Sequence, residues 1–245
     1  MKIITTANQK GGTAKTTTTA ALGVLLSRRG IRVHMVDTDP QASLSQAFGV
    51  TDRKDGFACA LQDAAELPMT MLSETLSITP GSMGLSVCET QLLTVPGREY
   101  FLRTSLEKTP LPDNTVVLLD SPPSLGILAL NCLAAAGGLL VVVQPGGFEV
   151  HALGHLELTV RLVQEKVNPD LVVLGSILTN CHRRRNITRQ VSEEIAQLHP
   201  VLGTIRADAR LLYATTTGGM LGLRRSNALD DYAGIVERLE ETVAW

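Results

Sequence analysis

Aromatic side chains are scarce in this chain, with Phe, Tyr and Trp together making up 3% of its 245 residues. A core with so few rings must be filled by Leu, Val, Ile and Ala, the composition that parallel strands buried on both faces carry. Cysteine is sparse and dispersed. Cys59, Cys88, Cys132 and Cys181 form no C-x-x-C pair, which argues against a zinc site or a disulfide framework and suits buried free thiols in a reducing cytoplasm. Excess charge of either sign is also missing: the net value is −2 and the pI is near 6.2, so any affinity for nucleic acid has to come from a local patch. The longest uncharged apolar run, Cys132 to Val143, is broken by Gly137-Gly138 and reads as a helix end, a turn and a strand rather than a membrane span. The opening residues MKIITTANQ enter a strand pattern at once, without a signal-peptide core.

What is present is apolar patterning. Hydrophobic residues reach 44% against 19% charged, with mean hydropathy +0.15. Strand-like runs recur at Ile3-Ile4, Val33–Val36, Leu76–Ile78, Thr115–Leu119, Leu139–Val143, Leu171–Leu178 and Val201–Ile205, with helix-length segments between most of them. This alternation predicts an α/β fold, one domain over residues 1–245, with a mainly parallel twisted sheet and helices on both faces. Thr16 to Arg29, closed by Gly30, reads as the first helix. Between Thr51 and Ser86 the pattern weakens. The last segment, Ala228 to Val243, sets Tyr232, Ile235, Val236, Leu239 and Val243 at helical spacing, with an acidic opposite face.

Three stretches carry chemistry. In Lys10-Gly11-Gly12-Thr13-Ala14-Lys15-Thr16-Thr17 a glycine-bearing turn joins the first strand to the first helix. Such a turn aims backbone N–H groups and the positive helix end at a phosphate, with Lys15 on the β/γ-phosphates and the Thr16 hydroxyl on Mg²⁺. Next, Asp37-Thr38-Asp39-Pro40-Gln41 puts two carboxylates at the end of the second strand, where open α/β sheets hold their ligands. Finally, Val116-Val117-Leu118-Leu119-Asp120 is an apolar strand ending in an acid, the Walker B arrangement for Mg²⁺, here through water. Each alone could be a turn or a cap.

In this order the three stretches, with Ser121-Pro122-Pro123-Ser124-Leu125-Gly126 after Asp120, resemble the ParA/MinD family of deviant Walker A ATPases, and within it the small ParA-type partition proteins. The resemblance implies a P-loop NTPase fold, ATP and Mg²⁺ as cofactors, and slow hydrolysis stimulated by a partner. It implies that Lys10 reaches across an ATP-dependent homodimer to the other subunit's phosphates. It assigns Lys10, Lys15 and Asp39 to catalysis, with Asp39 placing the attacking water, and Thr16, Asp37 and Asp120 to the metal. Nucleotide contacts fall to residues 10–17, and Asn180 either touches adenine or serves as a strand-end turn. One departure is Ala14, where the family commonly has Gly; ordinary backbone geometry is expected there.

Three outputs fit such an ATPase: DNA-dependent partition or cargo positioning, membrane-dependent positioning as in MinD, and small-molecule ligation of the dethiobiotin-synthetase type. Glu237, Glu240 and Glu241 in the last helix oppose an anionic membrane. The run His182-Arg183-Arg184-Arg185-Asn186-Ile187-Thr188-Arg189, with Arg206 and Arg210 beyond it, matches the nonspecific DNA surface of ParA-type proteins; Arg183, Arg184, Arg185, Arg189 and Arg210 are the assigned contacts. The resemblance further implies a ParB-like or other adaptor, no membrane partner, a cytoplasmic, nucleoid-associated location and no helix-turn-helix extension ahead of the loop.

Overall fold

The computed structural model describes residues 1–146, 149–181 and 186–242, with side chains described at all of these except 149–152, 186–190 and 242. In chain order the elements are β1 (Lys2–Ala7), α1 (Lys15–Arg28), β2 (Val33–Asp37), α2 (Ser43–Ala47), α3 (Gly56–Gln62), β3 (Thr70–Met71), β4 (Leu76–Thr79), α4 (Gly84–Leu92), α5 (Phe101–Lys108), β5 (Val116–Asp120), α6 (Ile127–Ala135), β6 (Gly138–Val143), α7 (Glu149–Lys166), β7 (Val172–Cys181), α8 (Asn186–Ile195), β8 (Val201–Arg206), α9 (Ala209–Thr217) and α10 (Asn227–Thr242). Short 3-10 turns lie at Arg98–Tyr100 and Met220–Gly222.

All of the strands named join one sheet in the order β3-β4-β2-β5-β1-β6-β7-β8. Every pairing is parallel except β3 with β4, the two-residue edge strand that the sequence pattern missed. Parallel strands need helical crossovers, and the crossovers cover both faces. Alternation along β5 shows how. Val116 and Leu118 enter the core shared with α1, α9 and α10, whereas Val117 and Leu119 face α3, α4, α5 and α6. On that second face, β6 and β7 supply Leu139, Val141, Val143 and Leu178 to a third cluster with Leu153, Leu156 and Val160 of α7.

The chain order reverses around β1, which lies between β5 and β6. That makes the carboxyl end of β1 the topological switch point, the place where an open α/β sheet leaves a crevice. The first helix begins at Lys15, and the last runs from Asn227 with Tyr232, Ile235, Val236 and Leu239 all buried. Val243 lies outside the described residues. Of the cysteines, Cys88, Cys132 and Cys181 are buried, but Cys59 is exposed on the short α3, contrary to the expectation of four buried thiols.

Candidate active site

From the end of β1 at Ala7, residues 8–14 form a loop tied to the strands beside it. Asn8 Nδ2 donates to the Val142 carbonyl of β6 at 2.6 Å, and Asn8 Oδ1 accepts from the Lys10 N–H at 3.0 Å. Thr179 of β7 donates its hydroxyl to the Thr13 carbonyl at 2.7 Å. These contacts tie the shape of the loop to β6 and β7. Gly12 turns left-handed at φ 76, and a Cβ at Gly11 or Gly12 would meet nothing within 4 Å, so this side of the loop is open.

Ala14 departs from expectation. It is left-handed too, at φ 68 and ψ 31. Alternating hands of backbone turn successive N–H groups toward one side; the geometry is imposed by the loop, and the methyl at Ala14 carries the strain. Helix α1 starts directly after it with no side-chain cap, leaving its first N–H groups for an anion.

Lys15 is 7% exposed and its ammonium donates to the Lys10 carbonyl at 3.4 Å. Burial lowers its pKa, and the charges of Asp120 and Asp39 offset only part of that. A cleft of about 680 Å³ opens over residues 11–17, with Asp39, Ser43, Gln46 and Pro123 along one side. Lys10 does not line it and its side chain is exposed.

The carboxylates of Asp37 and Asp120 stand opposite each other in the β2–β5 ladder, both fully buried. Asp37 Oδ2 accepts from the Ser45 N–H at 2.7 Å and its hydroxyl at 2.6 Å, and Ser45 in turn accepts from the Gly81 N–H at 2.9 Å. Burial still pushes the Asp37 pKa up to about 6. Asp120 is less well served. Its Oδ1 accepts from the Thr19 hydroxyl at 3.4 Å, while Oδ2 is buried without a hydrogen-bond partner. Burial and the charge of Asp37 push its pKa up to about 8, against hydrogen bonding from Thr16 and the charge of Lys15. Two buried acids with one orphaned oxygen, beside a threonine hydroxyl, fit a hydrated cation at this spot. Among the described residues no cluster of three or more His, Cys, Asp or Glu side chains could hold a metal. Thr16 and Asp120, joined by a side-chain hydrogen bond, are the residues here that would face a hydrated magnesium ion. Asp39 lies on the cleft wall, and its Oδ1 accepts from the Gln41 N–H at 2.9 Å.

At the far end, Asn180 lines the cleft in left-handed geometry at φ 52, its amide 3.3 Å from Gln144 Oε1. Residues 205–209, Leu211 and Tyr232 complete that wall. Asp208 organises it. Its Oδ1 caps α9 through the N–H groups of Arg210 and Leu211, and its Oδ2 accepts from the Ser226 hydroxyl and the Ala228 N–H at the start of α10. An Asp before an apolar helical run is a legible N-cap, and the sequence reading missed it. Ser45, inside a five-residue helix, carries no comparable sequence signal.

The assigned DNA residues divide. Arg183, Arg184 and Arg185 lie outside the described residues, as does the side chain of Arg189. Arg210 is exposed at the start of α9. Arg206, grouped with them in the sequence, instead spends its guanidinium on Asp231, with contacts of 2.7 to 3.1 Å, because β8 and α10 pack side by side.

Comparison with known proteins places the chain in a family. A family described as "AAA domain" matches residues 1–173. The sporulation initiation inhibitor protein Soj of Bacillus subtilis is 35% identical over 200 residues, covering 79% of this chain and 78% of Soj. The chain belongs to the ParA-type partition ATPases. Among solved structures, this ParA-type chain superposes with TM-score 0.81 and 31% identity on a Mycobacterium smegmatis protein titled cobyrinic acid a,c-diamide synthase, solved with bound ATP analog and magnesium, covering 99% of this chain and 96% of that one. A plasmid partition protein of Borrelia burgdorferi bound to AMPPNP shares the fold at TM-score 0.86 and 23% identity, with 99% of each chain covered. No helix among the described residues is long and apolar enough to cross a membrane.

Proposed function

We propose that this protein binds ATP with Mg²⁺, forms a face-to-face homodimer around two nucleotides, binds DNA nonspecifically in that state, and releases it on hydrolysis to drive partition or cargo positioning. The observation that carries this reading is the split between the two lysines of one loop: Lys15 is buried in its own cleft, whereas Lys10 does not line it. A cation that stands outside its own cleft is suited to the phosphates of a second copy, as an arginine finger acts in trans.

The residues divide the work. Lys15 and the N–H groups of the loop and of α1 bind the triphosphate and fix its terminal phosphorus. Bound magnesium would draw negative charge from the phosphate oxygens. Asp120 and Asp37 would hold the hydrated ion, Asp37 being fixed by Ser45. Asp39, on the cleft wall, positions the attacking water and accepts its proton. Lys10 from the second copy adds positive charge where charge builds on the transferred group, so turnover waits on dimerisation. Asn180 and the wall stiffened by Asp208 receive the base.

DNA binding follows from doubling. Arg210 and the Arg183–Arg185 run sit on both copies, so phosphate contacts add only in the dimer and affinity reads out ATP occupancy. A ParB-like adaptor supplies the stimulation. The deciding experiment is a DNA titration with ATP, ADP and no nucleotide at two salt concentrations. Binding is expected with ATP alone and weakens steeply with salt; absent or nucleotide-independent binding overturns the reading. The 31% identity to the protein titled as a diamide synthase favours a second reading, ATP-driven amide synthesis. That reading predicts turnover dependent on a small carboxylic acid and indifferent to DNA.

A further inference from the structure

The arginines near the start of α10 lie outside the nucleotide cleft. Arg224 and Arg225 are exposed in the connection between the Met220–Gly222 turn and α10. Arg28, the last residue of α1, reaches this connection and donates through Nη2 to the carbonyls of Leu221 at 3.3 Å and Leu223 at 2.6 Å. Its guanidinium is therefore fixed at the root of the segment that presents Arg224. The positive charge of Arg224 works against that of Arg28, lowering its pKa after the larger effect of burial. Cations placed together this way leave a strongly positive local potential.

Three acids of α10 are spent on other arginines. Glu237 and Glu240 of α10 lie on Arg29, at 3.3 and 2.8 Å, and Asp231 lies on Arg206. Asp230, in the first turn of α10, is the nearest acid in the chain order. Among the described residues, none pairs with Arg210, Arg224 or Arg225. The cluster also runs into Arg210: the backbone N–H of Arg210 and the hydroxyl of Ser226, next to Arg225, bind the two oxygens of the one Asp208 carboxylate.

We infer that Arg28, Arg224 and Arg225 continue the cationic surface of Arg210 into a single rim that grips the phosphodiester backbone of DNA. The inference rests on the DNA-binding reading and names further residues for it. A duplex suits the rim better than an anionic membrane, since α10 also carries the exposed acids Glu237 and Glu241, which weaken attraction to an anionic surface.

The test uses the full chain with magnesium and a nonhydrolysable ATP analogue, a fluorescent DNA duplex, and phosphatidylserine vesicles. The double variant Arg224→Gln/Arg225→Gln is expected to bind DNA at least about tenfold more weakly, with the slope of log affinity against log salt shallower by about 0.9 per lost contact. Arg224→Lys/Arg225→Lys keeps the wild-type slope, and DNA-free ATP turnover is the same in all three proteins. If wild type binds DNA with the analogue and the Gln variant matches it in affinity and slope, the rim is wrong and the parent reading stands. If wild type binds no DNA in any nucleotide state, the parent reading fails. Arginine-dependent binding to vesicles rather than duplex overturns the inference in favour of a lipid surface.

Discussion

The Lys15 ammonium donates to the backbone carbonyl of Lys10 at 3.4 Å, so the inner lysine of the loop rests on the backbone of the outer one. One lysine is buried in the cleft, while the side chain of the other is exposed and outside its lining. The two have separable jobs, and separable defects should follow from removing them.

Lys15→Ala removes the buried cation and leaves Asp120 without the positive charge that offsets its burial. Nucleotide affinity should fall by about 3 kcal/mol, on the order of a hundredfold. Titration with a fluorescent ATP analogue checks it; near-wild-type affinity would remove Lys15 from the phosphate site.

Ala14→Gly relieves a left-handed backbone at φ 68. An L-residue held there costs roughly 1 kcal/mol or more, so the glycine variant should melt about 2–4 °C higher. Thermal unfolding without nucleotide reads this out. An unchanged or lower midpoint would mean that the loop carries no strain at this residue.

His34 is buried between Ser77 and Thr79, whose hydroxyls lie 2.9 and 3.0 Å from its ring nitrogens. Burial lowers its pKa to about 4 from 6.5. The unfolded chain then takes up a proton at higher pH than the folded one, so the neutral ring favours the fold fully above pH 6.5 and progressively less as pH falls toward 4. The loss is about 3 kcal/mol. In urea unfolding between pH 7 and 4, acidification should lower the stability of wild type relative to His34→Gln by about this amount, since the raised pKa values of Asp37 and Asp120, which act in the opposite direction, are common to both proteins. Equal changes in the two proteins would contradict it.

Asp208 joins α9 to α10 through both of its oxygens. Asp208→Ala should lose about 2 kcal/mol of stability and weaken nucleotide binding through the displaced wall. Asp208→Asn, which keeps an accepting oxygen for the α9 cap, should recover part of both. Calorimetric unfolding and nucleotide titration measure the pair of effects.

The sheet and the phosphate loop were legible because each rests on local signals. Val116 to Leu119 is a short apolar run ending in an acid, and it emerges as β5 with Asp120 at its tip. The Lys10–Thr16 stretch sits between a strand and a helix as its glycines require. Less legible was whatever depends on contacts distant in sequence. Nothing local shows that Arg206 will face Asp231, or that Ser45 will close over Asp37 under Gly81. The edge strand Thr70–Met71 is too short to give a period, and the backbone hand at Ala14 is dictated by the loop around it, against the preference of its own methyl.

The trans role of Lys10 is tested most directly by sedimentation of wild type and Lys10→Ala, each saturated with magnesium and a nonhydrolysable ATP analogue. Wild type should sediment as a dimer, and the variant as a monomer that still binds nucleotide. A monomeric wild type, or a variant that dimerises as well as wild type, would contradict the account.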